Sequence, residues 1–409
     1  MTNKPVLLFV STRFLFPADS GGKIRTGQIL RGMKGGAFHI RLVMPRPAGG
    51  TSEFAEDVAA VSDEVVYFAP YEREGLLWKL RRALWAFKDK PIPVLSDWSK
   101  DAENCVRKEL DREPSLVLFD FPHSAVLAPA SFDRPSVMFT HNIEAVIFER
   151  HWKVAKSPLT RWLWKGQYLK MKSFEKDILN RFDTSIAVSP SDADYFREEY
   201  GVANSPSIET GTDLDFYQYR DPSRDNDVVF CGSMDWIANI DGVRWFHDNV
   251  WPIVLDKVPS ATMTVVGRKP PAALESHVSK NSPEWTFTGF VDDVRDHVPG
   301  ASAFVIPLRV GGGTRIKAFE AMAMGVPVVS TSIGMEGLAV EHGEHFLCAD
   351  EPEDMAEQIV SLIKDAELRR RISRVARQLV EERYSSVVVA RQFEGICLET
   401  LEAWEKAPG

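Results

Sequence analysis

The sequence predicts an α/β protein of two successive domains, each a parallel sheet flanked by helices, and three stretches carry that expectation. Residues 6–10 (VLLFV) form a continuous apolar run, the pattern of a strand buried on both faces. Strand–helix alternation pauses at the polar run 220–227 (RDPSRDND) and restarts at 228–232 (VVFCG), which implies two units instead of one long sheet. Residues 303–331 (AFVIPLRVGGGTRIKAFEAMAMGVPVVST) read as strand, glycine loop, helix and strand. A length of 409 residues suits two domains.

Composition excludes several function classes. With 44% hydrophobic and 26% charged residues the chain is an ordinary globular protein. A net charge of −9 argues against a general nucleic-acid binder. Cys105, Cys231, Cys348 and Cys397 lie far apart without CxxC spacing, so they read as reduced thiols of a cytosolic protein. One lysine precedes the apolar run at 6–10, which is too short for a signal peptide. No run reaches the roughly 18 apolar residues of a membrane span. The expected location is the cytoplasm.

In the first half, Ser20 and the pair Gly21-Gly22 follow the first strand and open a helix carrying Ile24, Ile29 and Leu30. Such a pair offers backbone N–H groups to an anion at a helix start; a tight turn needing positive φ explains it equally well. The turn is not GxGxxG, which disfavours an NAD dehydrogenase. Residues 39–44, 65–68 and 116–119 read as strands, and 136–140 (SVMFT) as another that delivers His141-Asn142-Ile143-Glu144. Carboxyl ends of parallel strands are where open α/β sheets place chemistry. His141 could bond a sugar hydroxyl or move a proton, and a structural role is equally open. Residues 184–189 close this half as a strand, with a helix after Pro190.

Two stretches stand out against the acidic whole. Residues 150–176 hold eight Lys or Arg against Glu175, interleaved with Trp152, Trp162 and Trp164, and 71–90 repeat the theme with Trp78 and Trp85. One reading is an anionic membrane surface, making the protein peripheral at the inner face of the membrane. The other is core tryptophans beside solvated lysines. Aromatic-plus-basic patterns also suit single-stranded nucleic acid, which the net acidity opposes.

In the second half a helix is expected over 239–257, with Val243, Phe246, Val250 and Ile253 inward, followed by strands at 261–266, 285–290 and 303–306. After the last of these come Gly311, Gly312 and Gly313, then Thr314 as N-cap, and Ile316, Phe319, Ala323 and Met324 at helical spacing. Gly325-Val326-Pro327 stops the helix before the strand 328–331. Glycines let a ligand approach the backbone, and free N–H groups at a helix start attract anions. Arg315 and Lys317 put cations where the macrodipole favours acids, which suggests a phosphate ligand. Glu320, one turn on, could accept hydrogen bonds from a ribose diol. The plainer alternative is a βαβ unit with a solvated polar face.

The motif from Pro307 through Gly-Gly-Gly-Thr-Arg-Ile-Lys-Ala-Phe-Glu to Val329 resembles the donor site of family-four, retaining glycosyltransferases of GT-B fold. Those enzymes usually carry two glutamates eight positions apart. Here the second is Glu320 and the first position is Gly312, a form similar to a branch found in bacterial exopolysaccharide clusters. The resemblance implies two Rossmann-like domains facing a central cleft. Residues 1–210 would be the acceptor-side domain, 211–226 a linker, 227–384 the donor domain, and 385–409 a C-terminal helix packing back on the first domain. It implies sugar transfer from a UDP- or GDP-linked donor to a glycan or lipid-linked acceptor, with retention, without metal or other cofactor. Gly21 and Gly22 match the loop over the donor diphosphate, and the His141-Asn142-x-Glu144 context resembles a motif of related transferases. Gly232 opens the donor domain; Gly267, Arg268 and Phe290 match strand ends framing the nucleobase. Similar enzymes grip the diphosphate with an Arg and a Lys after the first donor-domain strand. Ser233, Met234, Asp235 and Trp236 stand there instead, leaving Arg315 and Lys317 to supply the charge. Two other readings are a GT-B nucleotide-sugar epimerase, for which no acid/base carboxylate set is evident, and a non-catalytic nucleotide-binding subunit.

Overall fold

The computed structural model describes residues 4–47, 49–71, 75–155, 157–310 and 316–406. The chain divides into two compact units, one of residues 1–209 and 389–409, the other of 210–388.

The first unit holds six parallel strands, β1 (Val6–Ser11), β2 (His39–Pro45), β3 (Glu64–Phe68), β4 (Leu116–Asp120), β5 (Ser136–Phe139) and β6 (Thr184–Ile186), in the order β3-β2-β1-β4-β5-β6. The unbroken apolar run of β1 follows from burial on both faces. Leu7 and Phe9 pack with Ile29, Leu30 and Met33 of the helix Gly21–Met33. Leu8 and Val10 pack with Met171, Phe174 and Ile178 of the helix Pro158–Leu179 on the other face. The helix Ser386–Lys406 sends Val389, Ala390, Phe393 and Cys397, one helical face, into the first of these clusters. Glu394 accepts the Ala37 N–H at 2.6 Å beside it.

The second unit repeats the arrangement. Strands β7 (Asp227–Cys231), β8 (Thr262–Val266), β9 (Trp285–Gly289), β10 (Ala303–Ile306), β11 (Val328–Ser330) and β12 (Leu347–Cys348) lie in the order β12-β11-β10-β7-β8-β9. Both orders are the doubly wound permutation, in which direction reverses beside the first strand and a crevice opens at the carboxyl ends. Those ends are β1 with β4 in one unit and β7 with β10 in the other.

Two features differ from the sequence expectation. Residues 211–226 do not hang as a linker but are fastened to the second unit. Thr212 donates its N–H to Tyr384 O at 2.7 Å, Arg220 N–H to Met324 O at 3.2 Å, and Ser223 and Arg224 N–H to Gly300 O at 3.0 and 2.7 Å. Their polar side chains mark an outer layer, while the backbone groups are used. The helix expected over 239–257 starts at Ile237 and is interrupted by one π turn, Phe246–Val250, between Ile237–Trp245 and Trp251–Lys257. Pro252 lacks the N–H that an α-helical ladder would give to the carbonyl four residues earlier.

Of the two readings of the basic stretches, most of the tryptophans follow the core one. Trp85 is buried with Trp78 edge-on to it, Trp152 stacks on Tyr168, and Trp164 stacks on His151. Trp162 is exposed. The exposed apolar surface comes instead from Leu76, Leu80 and Leu84, at helical spacing on Gly75–Trp85, together with Phe87, Leu159 and Leu169. Lys156 and residues 72–74 lie outside the described residues. Among the described residues no helix is long and apolar enough to cross a membrane.

Candidate functional site

In the second unit the carboxyl ends of β7 and β8 are stripped of side chains. A Cβ on Gly267 would stand 1.9 Å from Gly232 O, and one on Gly232 would meet Asn239 Nδ2 at 2.8 Å and Lys317 Nζ at 3.0 Å. These glycines are therefore needed for close packing of the strand ends. The helix Ile316–Ala323 buries Ala318, Phe319, Met322 and Ala323, with Phe319 stacked on Tyr384 at 4.0 Å. That anchoring turns Lys317 and Glu320 toward the end of β7. Lys317 Nζ donates to Asn239 Oδ1 at 3.1 Å and lies 4.8 Å over the Phe230 ring. Asn239 is held in turn, its Nδ2 donating to Ser233 O at 2.8 Å.

Glu320 Oε1 accepts a hydrogen bond from Tyr217 Oη at 2.9 Å. Burial pushes the Glu320 carboxyl above its usual range, opposed by Tyr217 and by the Lys317 charge. The Tyr217 phenol is raised by burial and then by Glu320 beside it. Burial together with Glu320 lifts the Cys231 thiol to about 12, so it stays an inert SH at the end of β7. Among the described residues the strand end thus carries a fixed cation and an anchored carboxylate, an arrangement suited to a ligand with an anionic part and a polyol part.

The remaining expected residues of this unit are distributed around that core. Arg268 is turned to the loop after β7, its Nε donating to Ser233 Oγ at 2.9 Å and 3.7 Å from Asp235 Oδ2. Phe290, just past β9, is 72% exposed. Gly312, Gly313, Thr314 and Arg315 lie outside the described residues.

In the first unit His141 follows β5 and is buried. Its Nε2 is 2.8 Å from Asp120 Oδ1 at the end of β4. Asp120 also accepts from Thr26 Oγ1 at 3.2 Å and from Ser11 Oγ at 3.3 Å. The ring is sandwiched, stacked on Phe121 at 3.8 Å and 4.4 Å from Phe139, and the Arg13 guanidinium covers the far face of this stack at 4.1 Å from Phe121. Burial, above all, drops the His141 imidazolium to about 4, against the pull of Asp120. The ring is neutral at pH 7. Since a carboxylate only accepts, Nε2 bears the proton and Nδ1 presents a lone pair, with no hydrogen-bond partner among the described residues.

Gly21 and Gly22 begin the helix Gly21–Met33 with no positive φ, so the tight-turn explanation does not apply. Gly22 instead makes room for Phe121, whose Cζ would lie 2.4 Å from an added Cβ. Glu144 does not join His141: its Oε2 is 3.6 Å from the buried His123 Nε2, and His123 Nδ1 is 3.7 Å from Asp97.

Sequence reasoning missed Asp120, Thr26, Phe121, Asn239 and Tyr217. Asp120 had a signal, a lone acid closing the apolar run LVLFD just as His141 follows its own strand. Asn239 and Tyr217 had none, standing 78 and 103 positions from their partners.

The family model described as Glycosyltransferase Family 4 matches residues 28–216, and that described as Glycosyl transferases group 1 matches 225–365. The chain is 22% identical over 396 residues to an uncharacterized 44.6 kDa protein in the cps region of Klebsiella pneumoniae, covering 93% of this chain and 96% of that one. Sucrose-phosphate synthase from Thermosynechococcus elongatus superimposes with a TM-score of 0.69 at 16% identity, over 98% of this chain and 100% of that one. Anabaena HepE in complex with UDP-glucose superimposes with a TM-score of 0.60 at 17% identity, over 98% and 100%. At such identities the structures share the fold.

Proposed function

Given that the chain belongs to the family-4 type of GT-B glycosyltransferases, we propose that it moves a sugar from a UDP- or GDP-linked donor to a glycan or lipid-linked acceptor. Retention of anomeric configuration and a role in bacterial polysaccharide or glycoconjugate synthesis belong to the same proposal. A relative in a cps region and a fold neighbour holding UDP-glucose support it. The observation that carries it is the placement of Lys317, held by Asn239, and Glu320, held by Tyr217, on one helix beside the strand-end glycine Gly232.

In this reading Lys317 neutralises charge on the departing diphosphate, and Gly312, Gly313, Thr314 and Arg315 are proposed to serve the same donor. This leaving-group role needs no metal in the proposal. Glu320, with Tyr217 on Oε1, gives its other oxygen to the ribose diol. Gly267, Arg268 and Phe290 border the base. His141 offers its Nδ1 lone pair to a hydroxyl, and Gly21 and Gly22 are proposed donor-binding positions. Calorimetric titration with UDP and with GDP tests the donor assignment. One of them binds, and Glu320→Ala weakens it about tenfold or more, as loss of a charged hydrogen bond does; unchanged affinity contradicts the assignment.

The membrane reading now rests on different residues. Leu76, Leu80, Leu84, Phe87, Leu159 and Trp162 are exposed among Lys79, Arg81, Arg82, Arg161 and Lys165. Lys170 Nζ donates to Ala86 O at 2.7 Å, joining the two stretches into one surface. Such a surface inserts leucines and attracts anionic headgroups. The protein should co-sediment with anionic liposomes at low salt and release them after Leu80→Glu with Leu84→Glu. Indifference of the wild type to these liposomes would refute peripheral binding.

A further inference from the structure

A second cluster of titratable side chains sits in the same unit and plays no part in the donor-site account. The π turn Phe246–Val250 carries His247 and Asp248, and the helix Ala272–Asn281 carries His277. His247 Nδ1 is 2.7 Å and His277 Nε2 2.8 Å from one and the same oxygen, Asp248 Oδ1. Potential ligand atoms of the three residues all lie within 4.8 Å of one another. The imidazoles meet edge to face at 5.2 Å.

We propose that His247, Asp248 and His277 form a binding site for a divalent transition-metal ion of the zinc class. Two imidazole nitrogens and one carboxylate are the borderline donor set that Zn²⁺, Co²⁺ and Ni²⁺ take, whereas Mg²⁺ and Ca²⁺ prefer oxygens alone. The outer support is also in place. His247 Nε2 is 3.1 Å from Ser282 Oγ, so Nε2–H can donate to the hydroxyl and leave Nδ1 as the ligand. The His247 ring is 6% exposed and lies edge-on to Trp285 at 5.2 Å, which fixes its orientation. Asp248 and His277 are 40% and 43% exposed at their side chains, giving the ion a path from solvent.

A tetrahedral ion with bonds of about 2.0–2.1 Å holds its ligands about 3.3 Å apart. Small side-chain rotations open the present spacings that far, since both exposed ligands sit on the protein surface. The ion would replace the hydrogen bonds that converge on Oδ1 and tie the π turn to the neighbouring helix. Its remaining position is left for water. π turns inside helices are frequent at functional sites, and here the turn brings adjacent residues 247 and 248 to one ligand sphere.

The test uses the full chain, stripped with a chelator and titrated calorimetrically with Zn²⁺ and, separately, Mg²⁺. One equivalent of Zn²⁺ binds and Mg²⁺ does not; His277→Ala and Asp248→Asn each weaken Zn²⁺ binding at least about tenfold. Zn²⁺ raises the melting temperature of the wild type and of neither variant. Absence of saturable Zn²⁺ binding, or undiminished binding in both variants, overturns the proposal. Both substituted side chains are exposed, so metal-free melting reports that the variants fold. UDP or GDP binding stays the same with and without Zn²⁺, which keeps this result separate from the donor assignment.

Discussion

Lys317→Ala lowers kcat/KM for a nucleotide-sugar donor by about 10²–10³, the loss typical when one group stabilising developing anionic charge is removed. The size of the effect follows from how the ammonium is held. It bonds Asn239, rests against the Phe230 ring and stands 3.0 Å from where a Gly232 side chain would be. A charge so fixed needs no reorganisation when a diphosphate leaves. Arginine at 317 should restore only part of the rate, because the planar fork does not reproduce a point charge bonded to one amide oxygen. Asn239→Ala gives a smaller loss in the same direction, since it frees the ammonium without removing it. Steady-state kinetics on the three variants checks the order, and full turnover in Lys317→Ala with Arg315→Ala would falsify the role of the glycine-loop cations.

Asp120→Asn lowers kcat about 100-fold, within the range for a positioned proton-transfer or hydrogen-bonding side chain, with little change in KM for the donor. The carboxylate fixes the Nε2–H tautomer of His141 at 2.8 Å, and an amide can turn an N–H toward that nitrogen and reverse the tautomer. Because Asp120 also holds Thr26 and Ser11, a simple loss of rate would not separate positioning from packing. The double variant with His141→Ala does: if Asp120 acts through His141, the pair is no slower than His141→Ala alone. Fully additive losses contradict the pairing.

The pH dependence has a definite sign. His141 is held near 4 when folded, below its ordinary 6.5. Between these values the unfolded chain binds a proton that the folded chain refuses, so this residue's contribution to stability falls as pH drops through 6.5 toward 4. Activity, by contrast, keeps a neutral His141 down to about pH 5. A wild-type acid limb set by this residue near 6.5 would contradict its burial.

Much of the architecture could be read from residue order. β1 and β10 announce themselves as uninterrupted apolar runs because both faces of a doubly wound sheet are covered. Gly325 and Pro327 punctuate the end of the helix Ile316–Ala323 just where the chain turns into β11. β12, two residues long, has no period to detect, and the π turn is a local consequence of Pro252 that hydrophobic spacing passes over. At the candidate site, Lys317, Glu320, Gly232 and Gly267 stood out because strand ends and glycine loops are local patterns. Asn239 and Tyr217 did not, because the contacts that define them exist only after folding. The basic stretches show the same limit: tryptophan content left a membrane face and a core equally open, and Trp85 is buried while Leu76, Leu80 and Leu84 form the exposed apolar face.

The central claim is transfer of a sugar from a nucleotide donor, and diphosphate release from a panel of UDP- and GDP-sugars tests it most directly. Purified protein is supplied with lipid-linked and oligosaccharide acceptors, and product configuration is read by NMR. The account predicts acceptor-dependent release of one diphosphate, a product with the donor's anomeric configuration, and loss of both in Lys317→Ala. Nucleotide binding without release from any donor–acceptor pair would contradict it and leave a binding subunit in place of an enzyme.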